Sequence, residues 1–319
     1  ICLFLRPLEI IAKHYSLHFF IMKVYQTKEI RNIVLIGGSK SGKTTLGESM
    51  LFEGGVISRR GSVEDKNTVS DYREIELERL NSVSSTVMYA EYEGKKINFI
   101  DVPGFDDFIG ETVSALKVCE AAIMVVNAQN GVEVGTEITW RFTSRHHAPV
   151  IFAINQMDHE KANYDETLRQ LKHYFGEKVT PVQYPVNSGA SFNTVIDILK
   201  MKQLKFTPGS NKIEITDIPD AEKSKAETLH GKLIEAAAES NEKLMEKFFE
   251  AGTLTEEELL QGVKQGITNR DLYPLLCCSA KQDTGVARLM QFVCDYVPAP
   301  NEVTAPKTNE GAEIKCVPQ

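Results

Sequence analysis

Gly37-Gly38-Ser39-Lys40-Ser41-Gly42-Lys43-Thr44 decides the fold. The octet fits G-x-x-x-x-G-K-[ST]. Before it stands Ile33-Val34-Leu35-Ile36, an apolar run suited to a strand buried on both faces of a parallel sheet. After it a helix is predicted from about Lys43 to Phe52. Strand, glycine-rich turn and helix in that order make a cradle for phosphate groups. The glycines let the backbone wrap so that several N–H groups point inward, and the helix N-terminus adds its positive partial charge. The loop from Gly37 to Thr45 is therefore read as phosphate-binding, with Lys43 reaching the β- and γ-phosphates and the Thr44 hydroxyl meeting a Mg²⁺ ion.

Working outward, strands and helices alternate. Ser84–Tyr92 and Lys96–Ile100, joined at Glu93-Gly94, read as a hairpin that gives the sheet one antiparallel edge. Ala121–Val126, Val150–Ile154 and Leu275–Cys278 are predicted buried strands, with helices at about Glu111–Cys119, Thr136–His146 and Val286–Tyr296. The fold class expected is α/β, a doubly wound, mostly parallel sheet. The interval from Asn155 to Ser279 is far longer than one helix needs. It contains strand-like runs (Val182–Val186, Val195–Leu199, Ile213–Ile215), and Leu229, Leu233, Ile234, Ala237, Leu244, Met245 and Phe248 recur at helical spacing. It is read as an inserted α+β subdomain. The predicted division is an N-terminal extension over 1–28, a nucleotide-binding domain over 29–158 and 272–298, an insertion over 159–271, and a linker over 299–319 leading toward further domains. The extension is read as non-native or disordered, with Met22 as the natural start; a short membrane-surface helix is the alternative.

Three further motifs carry chemistry. Asp101-Val102-Pro103-Gly104 closes a strand, where a carboxylate can serve Mg²⁺ and where Gly104, without a Cβ, can bring its backbone to a γ-phosphate. Asn155-Gln156-Met157-Asp158 ends another strand. The Asp158 carboxylate can accept two hydrogen bonds from N1–H and the N2 amino group of guanine, a pair adenine does not offer. Ser279-Ala280-Lys281 follows the last strand and would bring the Ala280 N–H to guanine O6.

Together these residues resemble the signature set of the translational GTPases. The stretch from Asp71 to Asn163 resembles that branch through Glu78-Arg79, Asp101 to Phe108, Thr139-Trp140-Arg141 and Asn155 to Asp158. Lys200-Met201-Lys202 and Ala236-Ala237-Ala238-Glu239 are similar to the internal insertion of the elongation factor G domain. Cys278-Ser279-Ala280 through Asp295-Tyr296-Val297-Pro298 resembles its last strand and helix, so the likeness covers about Glu29 to Pro300. The resemblance implies a P-loop GTPase fold, GTP with Mg²⁺ as ligands, and the ribosome as partner during translocation. It implies Ser82 as a third metal-site residue, beside Thr44 and Asp101. It also implies switching of Asp65 to Ser84 by the γ-phosphate, and contact with the ribosomal stalk protein through the insertion. From Ala221 to Leu260 there are ten acidic and five basic residues; a solvated helical face explains that excess equally well.

The departures from the family cluster around hydrolysis. Phe105 stands where the family has a His that positions the attacking water, and a phenyl ring offers that water no conventional hydrogen bond. Ser39 and Asn81 replace two apolar residues beside the path of that His. Leu80 replaces a glycine, Ser82 a Mg²⁺-binding Thr, Lys40 an Asp that helps hold a monovalent cation, and Gln156 the Lys of NKxD. The expectation is GTP binding with hydrolysis impaired or absent. Retained activity through Asp106 or Asp107 is the alternative, and so is a ribosome-protection or regulatory role.

Composition fits this reading. Of 319 residues 42% are hydrophobic and 25% charged, which is ordinary for a globular protein, and the net charge of −8 argues against binding nucleic acid by charge alone. Neither the six cysteines nor the seven histidines show metal or disulfide spacing, which suits a reducing cytoplasm. No membrane or DNA contact is expected, and a monomer is.

Overall fold

The computed structural model describes residues 23–207 and 213–303. The expectations for the start at Met22 and for most of the linker lie outside the described residues. In chain order come β1 (Ile30–Ile36), α1 (Lys43–Glu53), α2 (Glu74–Arg79), β2 (Thr86–Tyr92), β3 (Lys95–Asp101), α3 (Ile109–Leu116), β4 (Ala121–Asn127), α4 (Val134–Arg145) and β5 (Val150–Asn155). There follow α5 (Tyr164–Phe175), β6 (Val179–Pro181), β7 (Gln183–Pro185), β8 (Thr194–Asp197), β9 (Lys202–Phe206), β10 (Ile213–Thr216), α6 (Asp220–Ala238), α7 (Glu242–Ala251), α8 (Glu256–Asn269), β11 (Tyr273–Cys277) and α9 (Val286–Tyr296).

The larger sheet has the order β2-β3-β1-β4-β5-β11-β6. All its pairings are parallel except β2 with β3. β4 and β5 are buried at every position, as unbroken apolar runs in a two-sided parallel sheet should be. β2, at the edge, alternates instead: Met88 and Ala90 face inward while Val87 and Tyr89 are exposed. Helices cover both faces, which is the expected doubly wound α/β arrangement, here with an inserted antiparallel sheet. Every strand C-terminus that carries a sequence motif, β1, β3 and β5 with β11, falls on one edge of this sheet, so the motifs converge.

The smaller sheet, in the order β10-β9-β8-β7, is antiparallel throughout. The strand predicted over Val182–Val186 is β7, Gln183–Pro185, and a separate short strand, β6, precedes it. β6 joins the larger sheet beside β11, β7 joins the smaller one, and Val182 serves both: its N–H donates to Leu275 O (3.0 Å) and its carbonyl accepts from Ile198 N (3.0 Å). α5 and β6, though within the 159–271 interval, thus build the larger sheet and its cover. Phe175 of α5 stacks on Phe152 of β5, with ring centroids 5.5 Å apart, and Trp140 of α4 lies 4.7 Å from Phe175. The helical spacing from Leu229 to Phe248 belongs to two helices, broken where Asn241 caps α7 by accepting from Lys243 N. A buried ion pair ties the insertion to the larger unit: Arg288 Nε of α9 donates to Asp197 Oδ2 of β8 at 2.5 Å, both side chains being 3% exposed or less. Among the described residues no helix is long and apolar enough to cross a membrane.

Candidate functional site

α1 begins where the chain leaves β1 through a left-handed turn. Gly42 has φ +91°, and a Cβ there would stand 2.4 Å from the Asn155 amide nitrogen. Only glycine lets the loop close against β5. Inside that loop Lys43 is buried, and its ammonium donates to Gly37 O and Gly38 O, both at 2.9 Å. Burial lowers its pKa to about 8, against the opposing pull of Asp101 and Asp71. The loop therefore holds a cation satisfied mainly by two neutral carbonyls, a local environment that attracts an anion. Gly104 approaches this amine so closely that a Cβ would stand 2.5 Å from Lys43 Nζ and 2.8 Å from the Ser39 backbone. The two predicted phosphate elements are thus in contact.

Beside Lys43 lies a knot of hydroxyls and carboxylates. Thr44 Oγ1 donates to Asp101 Oδ2 (2.7 Å) and sits 3.3 Å from Ser82 Oγ, so the three predicted metal-site residues come together. Two residues that the sequence reading did not assign to the metal site complete the knot. Ser70 Oγ donates to Asp101 Oδ2 (2.8 Å) and Ser82 Oγ to Asp71 Oδ1 (2.7 Å). Burial raises the Asp101 pKa to about 6, opposed by the Thr44 hydrogen bond and by Lys43. Its Oδ1 is buried without a partner, as is Ser41 Oγ in the phosphate loop. Buried, unpartnered oxygens are costly, and a phosphate-bound Mg²⁺ is a group these would fit. Among the described residues no cluster of three His, Cys, Asp or Glu side chains could hold a metal by itself. Hydroxyls, one carboxylate and the nucleotide's own oxygens would make up an oxygen-only shell of the kind Mg²⁺ takes.

On the other side of the loop, Asn155 acts as a strut. Its Nδ2 donates to Ser41 O (3.0 Å) and its Oδ1 accepts from Ala280 N (2.9 Å). The Ala280 N–H expected at guanine O6 is in this structure committed to Asn155. Asp158 is oriented by Ser279 Oγ, which donates to its Oδ1 (2.6 Å) and accepts from Gln282 N (3.1 Å). Gln156, at φ +63°, bridges Asn127 and the loop: Oε1 accepts from Asn127 Nδ2 (2.8 Å) and Nε2 donates to Lys40 O (2.9 Å). Its amide supplies, without charge, a clasp on the phosphate loop. Two adjoining cavities result. One of about 560 Å³ lies over the loop and includes Lys43, Thr44, Ser82 and Gly104. The other, of about 430 Å³, includes Asp158 and Lys281, and the two share Gly42, Thr45, Glu64 and Gln156. Their division matches a triphosphate at one end and a base at the other.

The rim is different. Phe105 lines the phosphate-side cavity with Leu80 and Asn81 and is 41% exposed. Leu80, also 41% exposed, ends α2 in the left-handed region at φ +55°, where a side chain is strained and glycine is not. Asp106 and Asp107 begin a short 3-10 turn after Phe105, and neither lines the cavity.

The family model described as "Elongation factor Tu GTP binding domain" matches residues 28–299. Among solved structures, a crystal structure of a Thermus thermophilus protein is similar at 29% identity with a TM-score of 0.81. The match covers 86% of this chain and 41% of that one, so the chain spans well under half of the length of that protein.

Proposed function

The chain belongs to the elongation factor Tu GTP-binding domain family, and from that premise we propose that it is the nucleotide-binding part of an elongation factor G-like translation factor whose GTP is held but hydrolysed slowly or not at all. The observation that carries the reading is the pairing of a complete phosphate floor with a phenyl ring at position 105. Lys43 and the loop N–H groups hold the phosphates. Thr44, Ser82 and Asp101 would hold Mg²⁺, which neutralises charge on the β- and γ-oxygens when bound. Asp158 accepts from the guanine edge. Orientation of an attacking water needs a polar group within hydrogen-bond reach, and neither Phe105 nor Leu80 supplies one.

In this reading the γ-phosphate orders Asp65 to Ser84 and the loop after Asp101, and the GTP form engages the ribosome in translocation. Release then follows nucleotide exchange or rearrangement of the ribosome. The acidic helices α6 to α8 are the proposed contact for the stalk protein. The factor works as a cytoplasmic monomer without membrane or DNA partners.

Two measurements test this. Calorimetry should show binding of GTP and GDP with no comparable uptake of ATP; equal uptake of both purines, or of neither, removes the functional assignment. Single-turnover hydrolysis, with and without ribosomes, should be slow in both cases. An ordinary ribosome-stimulated rate would make this chain a competent GTPase. Binding without translocation by the full-length protein would favour a ribosome-protection role.

A further inference from the structure

Arg60 lies where the chain has left α1, and no motif marks it. Its Nη1 donates to Ala280 O (2.8 Å), to Lys281 O (3.1 Å) and to Ser49 Oγ (3.2 Å). Ser49 Oγ itself donates to Ala280 O at 2.6 Å, so that carbonyl is held from two sides. The guanidinium sits over the Phe52 ring, 5.6 Å from its centroid, and its charge acts on the Glu53 and Asp283 carboxyls. An Arg with a planar fork, stacked and opposed by carboxylates, is a fixed donor rather than a wandering surface charge.

The carbonyls it holds belong to the loop that reads the base. Within one trans peptide the C=O and the following N–H point in opposite directions. Fixing Ala280 O therefore fixes the Lys281 N–H on the opposite side, and fixing Lys281 O fixes the Gln282 N–H. The Gln282 N–H donates to Ser279 Oγ, and Ser279 Oγ donates to Asp158 Oδ1. A continuous chain of contacts thus runs from Arg60 to the base-reading carboxylate. The residue after Arg60 is anchored as well. Gly61 N donates to Glu48 Oε2 at 2.8 Å, and Val69 N donates to the other oxygen of the same buried carboxylate.

We infer that Arg60 is a positioning residue for base recognition: by holding Ala280 O it aims the Lys281 N–H at the six-position oxygen of the purine. Glu48 ties the 61–69 segment to the same helix, so the approach to the switch and the base loop share one support. The inference rests on the GTP-binding reading above and specifies what enforces its base selectivity.

The test compares GDP with 2-aminopurine riboside diphosphate, which lacks the six-position oxygen, and with tripolyphosphate, on wild type, Arg60→Ala and Arg60→Lys. Arg60→Ala should weaken GDP binding about tenfold and leave the 2-aminopurine nucleotide and tripolyphosphate within about twofold, so the ratio of the two nucleosides collapses. Arg60→Lys should recover part of the ratio, since an ammonium can still donate to these carbonyls but loses the planar guanidinium that sits over Phe52. A ratio unchanged in Arg60→Ala, or an equal loss for all three ligands, would overturn the inference. If Arg60→Ala does not fold, Ser49→Ala removes the second donor to Ala280 O, and the same ratio should fall by a smaller factor; no fall overturns the inference equally. A wild type that shows no preference for GDP over ADP would instead defeat the GTP-binding reading on which this one rests.

Discussion

On the floor of the cleft, Lys43 and Asp101 are buried, and Thr44, Ser70 and Ser82 are each joined to a carboxylate directly or through one hydroxyl. At its rim, Leu80 and Phe105 stand 41% exposed, one in a strained backbone region and both with side chains that can neither donate nor accept. The two regions are a few residues apart in the chain, since Gly104 belongs to one and Phe105 to the other. Binding a charged ligand depends on groups fixed in advance, and those are intact. Positioning a water is a separate demand, and at the rim the side chains of Leu80 and Phe105 offer it no hydrogen bond. The proposed reading, GTP held but hydrolysed slowly, rests on these two demands falling on different side chains.

The sharpest way to break the contrast is on the floor. Lys43→Ala removes the buried ammonium and should reduce GTP affinity on the order of 10³-fold by calorimetry; a loss under tenfold would mean that the loop amides suffice alone. Asp158→Asn should cost about 10²-fold in GTP affinity and favour xanthosine triphosphate, because the amide can donate to the xanthine oxygen where the carboxylate could only accept. An unchanged base preference would place recognition elsewhere. At the rim, Phe105→His should raise single-turnover hydrolysis roughly ten- to a hundredfold, below the full 10²–10⁴ of a well-placed general base, because Leu80 and Asn81 remain. Its GTP affinity should stay within about twofold. If affinity falls with it, floor and rim are not separable.

The smallest effect concerns the support beneath the base loop. Burial, and next the neighbouring Asp283, raise the Glu53 pKa from 4.5 to about 7, with Arg60 opposing. A carboxyl whose folded pKa is raised binds its proton more tightly in the folded state. Its contribution to stability is therefore favourable at low pH and declines as pH rises from about 4.5 through about 7. Glu53→Gln, which cannot ionise, should match wild type in thermal unfolding at pH 4 or below and exceed it at pH 8. The opposite trend would show that Glu53 is ionised and paired.

The strands and the phosphate loop were legible because a parallel sheet buried on both faces leaves contiguous apolar runs, as at Ile33–Ile36 and Val150–Ile154, and because Gly37 to Thr44 obeys a local rule. What was not legible is non-local. β6 is three residues long, with Thr180 and Pro181 in it, and no periodicity can be read over so few. α5 did leave a signal, Tyr164, Thr167, Leu171 and Phe175 at helical spacing, but inside an interval read as one insertion. Ser70 and Asp71 reach Asp101 and Ser82 only because β3 and the 70–82 segment fold side by side. Arg60 is 220 positions from the carbonyl it holds. Asn155 was placed at the nucleotide by its motif, yet its observed work is to brace two loops, which side-chain identity alone does not reveal.

Val182 is a single residue stitched into two sheets at once, through its N–H on one side and its carbonyl on the other. Such a seam transmits displacement with little slack, since tilting the inserted sheet pulls on Leu275, and Leu275 lies four residues upstream of Ser279. A partner that leans on the inserted helices would therefore have a short mechanical route to the Ser279–Lys281 loop.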